Sequence, residues 1–512
     1  MGTSDRKQAA GWSPFWKAPS RFETLSERVR VEVAVVGGGL TGLTVAKAIR
    51  NRGRPVALLE RGTIAGGATG STSGILTAQP GFCYDHVRTA FSPRQARVYA
   101  TLLQAGIERV GADCAAEDGN RCGFEWRPSY VYANNRDRVE REVTAASAAG
   151  LSATFVTSVP PFERATSGIR VENQAVFDPG AYTNFLATEL TARSGVELFE
   201  DTWVQTVKPG SPCILETPNG QVIADQVVIA TGVPIIDPAA YFTRLHPTRS
   251  YLLAVRLGSR APTGTYLSPT DGRTVRVVAD EDPWPLLLVG GEEHKPGDGE
   301  SAGDRYERLE HWTRERFSVR EIEGRWSVQG YRTNDRLPFV GPIGGAPNVF
   351  VGTGFGNWGE AAAIAAGELL ADALADTTPA TAHRQAALKL LDPRRVTSKA
   401  SAPTALEENA DAASQFATGW VRSVLTPDRD SRTATDGQVR RVGRELIAVA
   451  TDEQGERHAV SAVCPHRSCV LEWNDADRTW DCPCHGSRYA PDGTWLEGPA
   501  NEDLPSRDLP EE

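Results

Sequence analysis

Two short segments near the C-terminus each set a thiol beside an imidazole: Cys464-Pro465-His466, and Cys482-Pro483-Cys484-His485. The interval between them has the length of a hairpin. Cys464-x-His466 and Cys482-x-x-His485 make a mixed Cys/His donor set, so the fold must bring two loop tips together around one metal centre. How the donors are dealt between the loops narrows the filling. Structural zinc takes Cys and His in tetrahedral geometry, but its common finger spacing places two Cys in one half and two His in the other. A [2Fe-2S] cluster with two Cys on one iron and two His on the other needs one of each from each loop. The mixed order meets that demand, with zinc as the alternative.

The flanking residues carry a resemblance. Cys464-Pro465-His466-Arg467-Ser468-Cys469, followed by Cys482-Pro483-Cys484-His485-Gly486-Ser487-Arg488-Tyr489, resembles the cluster loops of a Rieske domain, in the subclass whose loops are cross-linked. The resemblance implies Cys464, His466, Cys482 and His485 as ligands and Cys469–Cys484 as a disulfide. It also implies hydrogen bonds from Ser487 to a cluster sulfide and from Tyr489 to a ligand thiolate. Such donors stabilise the more negative, reduced state and raise the potential. Ser468 stands where the family usually has Gly.

Far upstream, residues 31–60 read as strand, tight turn, helix, strand. Val31–Val36 is an apolar run of the kind a buried parallel strand shows, Gly37-Gly38-Gly39-Leu40-Thr41-Gly42 is the turn, and the helix runs to Arg52, where Gly53 stops it. Pro55–Leu59 is the next strand and leads into Glu60. Gly37-x-Gly39-x-x-Gly42 lets the backbone approach a pyrophosphate at a helix N-terminus, and Glu60, 18 residues beyond Gly42, can accept ribose hydroxyls. The alternative is a plain Gly-rich turn, yet every contextual element of a dinucleotide site is present.

Further motifs extend this reading. Together with Arg61-Gly62, the small-residue loop Gly66–Leu76, Val227–Gly232, Asp335–Gly341 and Gly352–Gly359, residues 30–375 resemble the FAD-dependent oxidoreductase family of D-amino-acid oxidase, glycine oxidase and sarcosine oxidase. The resemblance implies a cofactor set of Gly37, Gly38, Gly39, Thr41, Gly42 and Gly232, with Glu60 and Arg61 flanking the adenosine ribose. Thr69, Ser73, Gly74, Ile75 and Leu76 would line the pyrophosphate and flavin. Val204, opening a strand Val204–Val207, would touch adenine through its backbone. Gly354, Phe355, Gly356, Asn357 and Trp358 would cover the flavin's pyrimidine end, where a helix dipole stabilises an anionic reduced ring. Ser71, Thr72 and Ser73 replace the His that some covalent relatives use, and the Asp335 region has no Cys, so FAD is expected to be non-covalent.

Between the cofactor motifs, helices are expected at Ser92–Val110 and Asp137–Ala149, with another starting at Phe177-Asp178-Pro179. Short strands between Val196 and Val289, including Tyr251–Val255, Val275–Ala279 and Leu286–Val289, suit a substrate lobe whose sheet roofs the flavin. The family's carboxylate-binding arginine would fall four positions after Trp326, which is Gly330, with Gln329 before it and Arg332 two beyond. Arg332 is one catalytic candidate, able to pair with a substrate carboxylate or to form a surface ion pair. His294 is the other, placed in the active site or in an exposed turn.

The 512 residues, 40% hydrophobic and 23% charged, are ordinary for about three globular domains. The expected organisation is an N-terminal extension (1–30), then an α/β FAD-binding, Rossmann-like domain with an interleaved α+β substrate lobe (31–390). A linker with short helices (391–430), including the small-residue stretch Ser398–Pro403 and a helix Ala413–Leu425, leads to a small all-β Rieske domain (431–512). A net charge of -10 leaves no Lys/Arg excess for phosphates, which argues against a nucleic-acid partner. No run of 18 apolar residues and no signal-peptide core occur, so the expectation is a cytoplasmic chain without a transmembrane segment. Cys83, Cys114, Cys122 and Cys213 are scattered without framework spacing, as suits a reducing compartment.

A flavin accepts two electrons together as hydride, and a [2Fe-2S] cluster takes one. Both in one chain point to a dehydrogenase that oxidises a small amine, amino acid or hydroxy acid at FAD. Its electrons would leave singly through the cluster to a quinone or electron-transfer protein. One alternative is a reductase component feeding an oxygenase. Against it, no two of His86, His246, His294, His311, His383 and His458 make a helical ligand pair, and only one dinucleotide unit is present. The other is a non-catalytic redox sensor with a degenerate flavin pocket, which the intact glycines oppose.

Overall fold

The computed structural model describes residues 14–115, 120–162, 166–278, 284–375, 381–396, 401–425 and 437–508. The apolar run at Val31–Val36 exists because its strand is covered on both faces. Arg28–Val36 lies parallel between Gln221–Ile229 and Val56–Leu59, with Val33, Ala34 and Val35 at 0% exposure. Val349–Thr353 and Val196–Phe199 extend the parallel array at its two sides. Antiparallel strands at Phe339–Pro342, Thr206–Lys208 and Cys213–Glu216 complete an eight-stranded sheet. Helix Leu40–Asn51 leaves the first strand through a turn so tight that a Cβ on Gly42 would fall 1.8 Å from Gly37 O.

The second sheet has nine strands, and three long ones form its cavity-facing end: Val319–Thr333, Leu245–Leu257 and Leu286–His294. The expected short strands are longer here because the ladder extends from Leu245↔Thr333 to Leu257↔Val319, with register shifts at Ala254/Val255 and Arg256/Leu257. The strand expected at Val275–Ala279 is Arg273–Val277, and Ala279 lies outside the described residues. Helix Pro93–Cys114 is capped by Ser92, which accepts from Gln95 N (3.2 Å), and Pro179–Thr191 by Asp178, which accepts from Ala181 N (2.9 Å). The remaining expected helix is Arg136–Ala148.

Four expectations need correction. Val204 precedes its strand, which begins at Thr206. In place of short helices in the linker there is one 24-residue helix, Ala402–Leu425. Asn409 donates to Thr243 O (2.9 Å), Gln415 to Gly297 O (2.7 Å) and Trp420 to Ser468 O (3.1 Å), so tertiary anchors at three levels hold it continuous. Of the small-residue stretch Ser398–Pro403, residues 398–400 lie outside the described residues, and Ala402 and Pro403 open this helix. Cys114 and Cys122 are not scattered but form a disulfide with Cα atoms 5.5 Å apart.

The C-terminal unit is two small antiparallel sheets. Gly437–Val442, Glu445–Thr451 and Arg457–Ser461 make one; Glu472–Asn474, Thr479–Asp481, Arg488–Tyr489 and Trp495–Glu497 make the other. Fully buried Trp480 fills the core they share. Among the described residues no helix is long and apolar enough to cross a membrane.

Candidate functional site

One continuous cavity runs across the C-terminal ends of the parallel strands of the eight-stranded sheet and under the roof of the second. Its walls include Gly37, Gly38, Gly39, Thr41, Glu60, Arg61, Thr69, Ser73, Val204, Gly232, Gly354, Phe355, Gly356, Asn357 and Trp358. The Glu60 carboxylate is held in place by backbone donors, Gly38 N at 2.7 Å and Gly62 N at 2.8 Å. Four residues expected at the cofactor stand behind the wall. Gly42 serves the tight turn, and Ile75–Leu76 pairs with Gly168–Val176. The Gly74 carbonyl, with those of Ser73 and Phe177, accepts from the buried Arg276 guanidinium at 2.7–2.9 Å.

Neither catalytic candidate faces this cavity. His294 lies half-buried at the end of its strand, stacked on Tyr251, with Nε2 3.2 Å from Tyr251 OH and Nδ1 2.9 Å from Lys295 O. Burial holds its pKa down to about 4. Arg332 is about half exposed (47%) and reaches Glu408 at 3.4 Å and Glu293 at 3.8 Å, a surface ion pair. At Gly330 a Cβ would lie 2.2 Å from Asn357 Oδ1, so any larger residue there requires the Asn357 amide to move. That amide is fixed in turn by Thr248 Oγ1 (3.0 Å) and Ser250 Oγ (3.0 Å).

Sequence reasoning missed Glu360, which opens helix Glu360–Leu374 and accepts from the Thr72 hydroxyl inside the cavity wall. Burial pushes its carboxyl from 4.5 up to about 7, against the lowering effect of the Thr72 bond. The folded-state value lies above the unfolded one, so the group's stability contribution is complete below pH 4.5 and is lost as pH rises through about 7. In FAD-free protein the expected loss is about 3 kcal/mol. Denaturation midpoints taken at about pH 5 and about pH 8 should differ accordingly, and Glu360→Gln should remove most of the difference.

The two loops do meet. The thiols of Cys464 and Cys482 pair with each other, and the rings of His466 and His485 meet edge to face with centroids 5.0 Å apart. Thiols on one side and imidazoles on the other is the division a [2Fe-2S] centre requires of its ligands. Buried Nδ1 atoms of both His466 and His485 have no protein partner, so the site leaves two nitrogens for metal. Burial holds His466 down to about 4 and His485 to about 3, which keeps both rings in the neutral, ligating form. The bond from Cys482 draws the Cys464 thiol down to about 6, toward thiolate. Cys469 and Cys484 form the cross-link between the loops. Tyr489 OH lies 3.6 Å from Cys464 Sγ, and Ser487 Oγ accepts from Ala500 N (3.1 Å), which leaves its own proton for sulfur. Ser468 has φ +57°, the left-handed region, which is the reason glycine suits that position.

Hydrogen bonds join the cavity wall to the second cluster loop. Gln329, in the cavity wall, donates to Gly486 O of the second loop at 2.7 Å and to Tyr331 OH at 2.8 Å, and Tyr331 OH lies 3.5 Å from His485 O. Arg249 holds Gln329 Oε1 (2.8 Å) and pairs with Asp481. Phe242 covers the imidazoles edge-on, 5.7 Å from His485 and 6.3 Å from His466.

Comparison with known proteins agrees with both halves. The DAO family of FAD dependent oxidoreductases matches residues 32–373, and the Rieske [2Fe-2S] domain family matches 423–508. YhfW of Bacillus subtilis (strain 168), described as a Rieske 2Fe-2S iron-sulfur protein, is 30% identical over 512 residues, covering 97% of both chains. The cytochrome b6-f complex iron-sulfur subunit 3 of Nostoc sp. (strain PCC 7120) is 44% identical over 54 residues, 10% of this chain and 30% of that one. In fold, glycine oxidase from Geobacillus kaustophilus aligns with a TM-score of 0.59 at 21% identity, over 72% of this chain and 100% of that one. An L-amino acid deaminase from Proteus vulgaris aligns at 0.57 and 18% identity, over 75% and 97%. The chain belongs to the DAO family of FAD dependent oxidoreductases and carries a Rieske [2Fe-2S] domain at its C-terminal end.

Proposed function

We propose that this oxidoreductase is a dehydrogenase for a small amine, whose electrons pass within the chain to the Rieske domain and leave for a one-electron acceptor. FAD supplies two-electron hydride uptake and the [2Fe-2S] cluster supplies single-electron transfer. The observation that carries the reading is Gln329, one side chain that both lines the FAD cavity and hydrogen-bonds the loop holding His485. Glu60 and the Gly37–Gly39 turn would hold the dinucleotide, and Cys464, Cys482, His466 and His485 the cluster.

The substrate class follows from the charge of the walls. Among the described residues lining the cavity, Arg61 is the one permanent cation, and its guanidinium is engaged by Trp203, Trp495 and Asp503. Glu293 and Glu360 supply carboxyl groups, while Ser250, Thr274 and Asn357 supply neutral donors and acceptors. Such walls favour a protonated or neutral amine over a substrate anchored by its carboxylate. Anaerobic screening of purified holoprotein with amines, amino acids and hydroxy acids tests this. Amines are expected to bleach the flavin fastest; fastest bleaching by amine-free hydroxy acids would contradict it.

The compartment we propose is the cytoplasm. Both cross-links there would be protected from reductant by burial, with Cys114, Cys122, Cys469 and Cys484 all at 3% exposure or less.

A further inference from the structure

We infer that the C-terminal domain supplies one wall of the FAD site, at its adenosine end, so that the cofactor is gripped between the two domains. This rests on FAD being the family's cofactor, and not on the substrate or electron route proposed above. Trp495, Leu496, Glu497, Gly498 and Asn501 line the same cavity as the Gly37–Gly39 turn and Glu60.

Two clasps fix that wall. The first is built on Arg61, next in sequence to Glu60. Its guanidinium lies 4.4 Å from the Trp203 ring and 3.7 Å from the Trp495 ring, and pairs with Asp503 at 3.3 Å. Asp503 also accepts from Trp495 N at 2.9 Å, which sets the position of the indole. Arg61, expected at the ribose, therefore spends its charge on holding the domains together. The second clasp is Asn501: its amide donates to Val204 O (2.9 Å) and Gln205 O (3.1 Å), and its oxygen accepts from Trp203 Nε1 (2.9 Å).

The stack Trp203–Arg61–Trp495 beside the Glu60 carboxylate offers planar surfaces and an acceptor for hydroxyls, which are complements of a purine nucleoside. A ligand seated there touches both domains. Its binding and their docking are then linked, and the linkage is reciprocal: docking tightens FAD, and FAD tightens docking.

The test uses the full chain, deflavinated with its cluster intact and titrated with FAD. Trp495→Ala and Asn501→Ala are expected to raise the FAD Kd at least about fivefold, with the visible circular dichroism of the cluster unchanged. Arg507→Ala removes a peripheral ion pair of the same domain, to Glu445 at 3.0 Å, and should leave the FAD Kd at its wild-type value. In the unaltered chain, FAD should slow backbone hydrogen exchange across residues 495–503. Wild-type affinity in both wall variants, equal weakening in Arg507→Ala, or exchange at 495–503 indifferent to FAD would each overturn the proposal.

Discussion

In a His485→Ala chain, the cluster signature is expected to disappear while substrate still bleaches the flavin under anaerobic conditions. Delivery to a one-electron acceptor should fall by at least about 100-fold, the upper end of what changes outside the ligand set produce. The reason lies in how little else His485 does. Its Nδ1 is buried without a protein partner, its ring contacts His466 and Phe242, and no side chain of the cavity wall depends on it. Only its backbone carbonyl reaches the wall, through Tyr331 OH, and alanine keeps that carbonyl. Substrate oxidation and electron export are thereby separable at one residue. Loss of flavin bleaching with FAD still bound would show that the cluster takes part in the first half-reaction.

Arg488→Met should destabilise the C-terminal domain by about 3–5 kcal/mol, the usual result of removing one partner from a buried ion network. Arg488 is at 0% exposure. Its guanidinium reaches Asp477 at 2.7 Å, Asp481 at 2.9 Å and, across to the other domain, Ser327 Oγ at 2.8 Å. Met matches its stem but leaves two largely enclosed carboxylates short of a cation. Burial pushes Asp481 upward, and the guanidinium groups of Arg249 and Arg488 outweigh it, leaving the carboxyl below its ordinary 3.8. Asp477 is lowered likewise, with Arg488 outweighing burial. Folded values below the unfolded one mean that this stabilisation is present above about pH 4 and is lost as pH falls through the folded values. The checks are denaturant unfolding followed at the cluster bands, and its dependence on acid. Wild-type unfolding midpoints in the variant would show that the network contributes nothing net.

Much of this fold is legible because its signals are local. A doubly covered strand must be apolar throughout, so Val31–Val36 announces itself, and the turn that follows must be small because Gly42 packs on Gly37 O. The Cys464–His466 and Cys482–His485 pairs are likewise confined by short spacing, which is why their order alone could offer them as a donor set. What stayed hidden depends on partners far away in sequence. Gln329 and Tyr331 look like ordinary strand residues until Gly486 and His485 are folded against them. Asn501 lies 297 positions from Val204, whose carbonyl it holds. Glu360 reads as a surface helix residue, since nothing in its neighbourhood shows that Thr72 and a closed cavity cover it. His294 and Arg332 misled for the converse reason: each lies at the C-terminal end of a strand whose middle faces the cavity, where a bulge between Arg249 and Tyr251 shifts the register beside His294 and the Arg332 side chain is directed to Glu408 and Glu293.

The most direct test of electron transfer within the chain is rapid anaerobic mixing of oxidised holoprotein with a bleaching amine, read at flavin and cluster bands separately. The account expects flavin bleaching first and cluster reduction second, with the second rate independent of protein concentration, as the Gln329–Gly486 contact within one chain requires. A cluster that stays oxidised, or whose reduction rate rises with protein concentration, would contradict it.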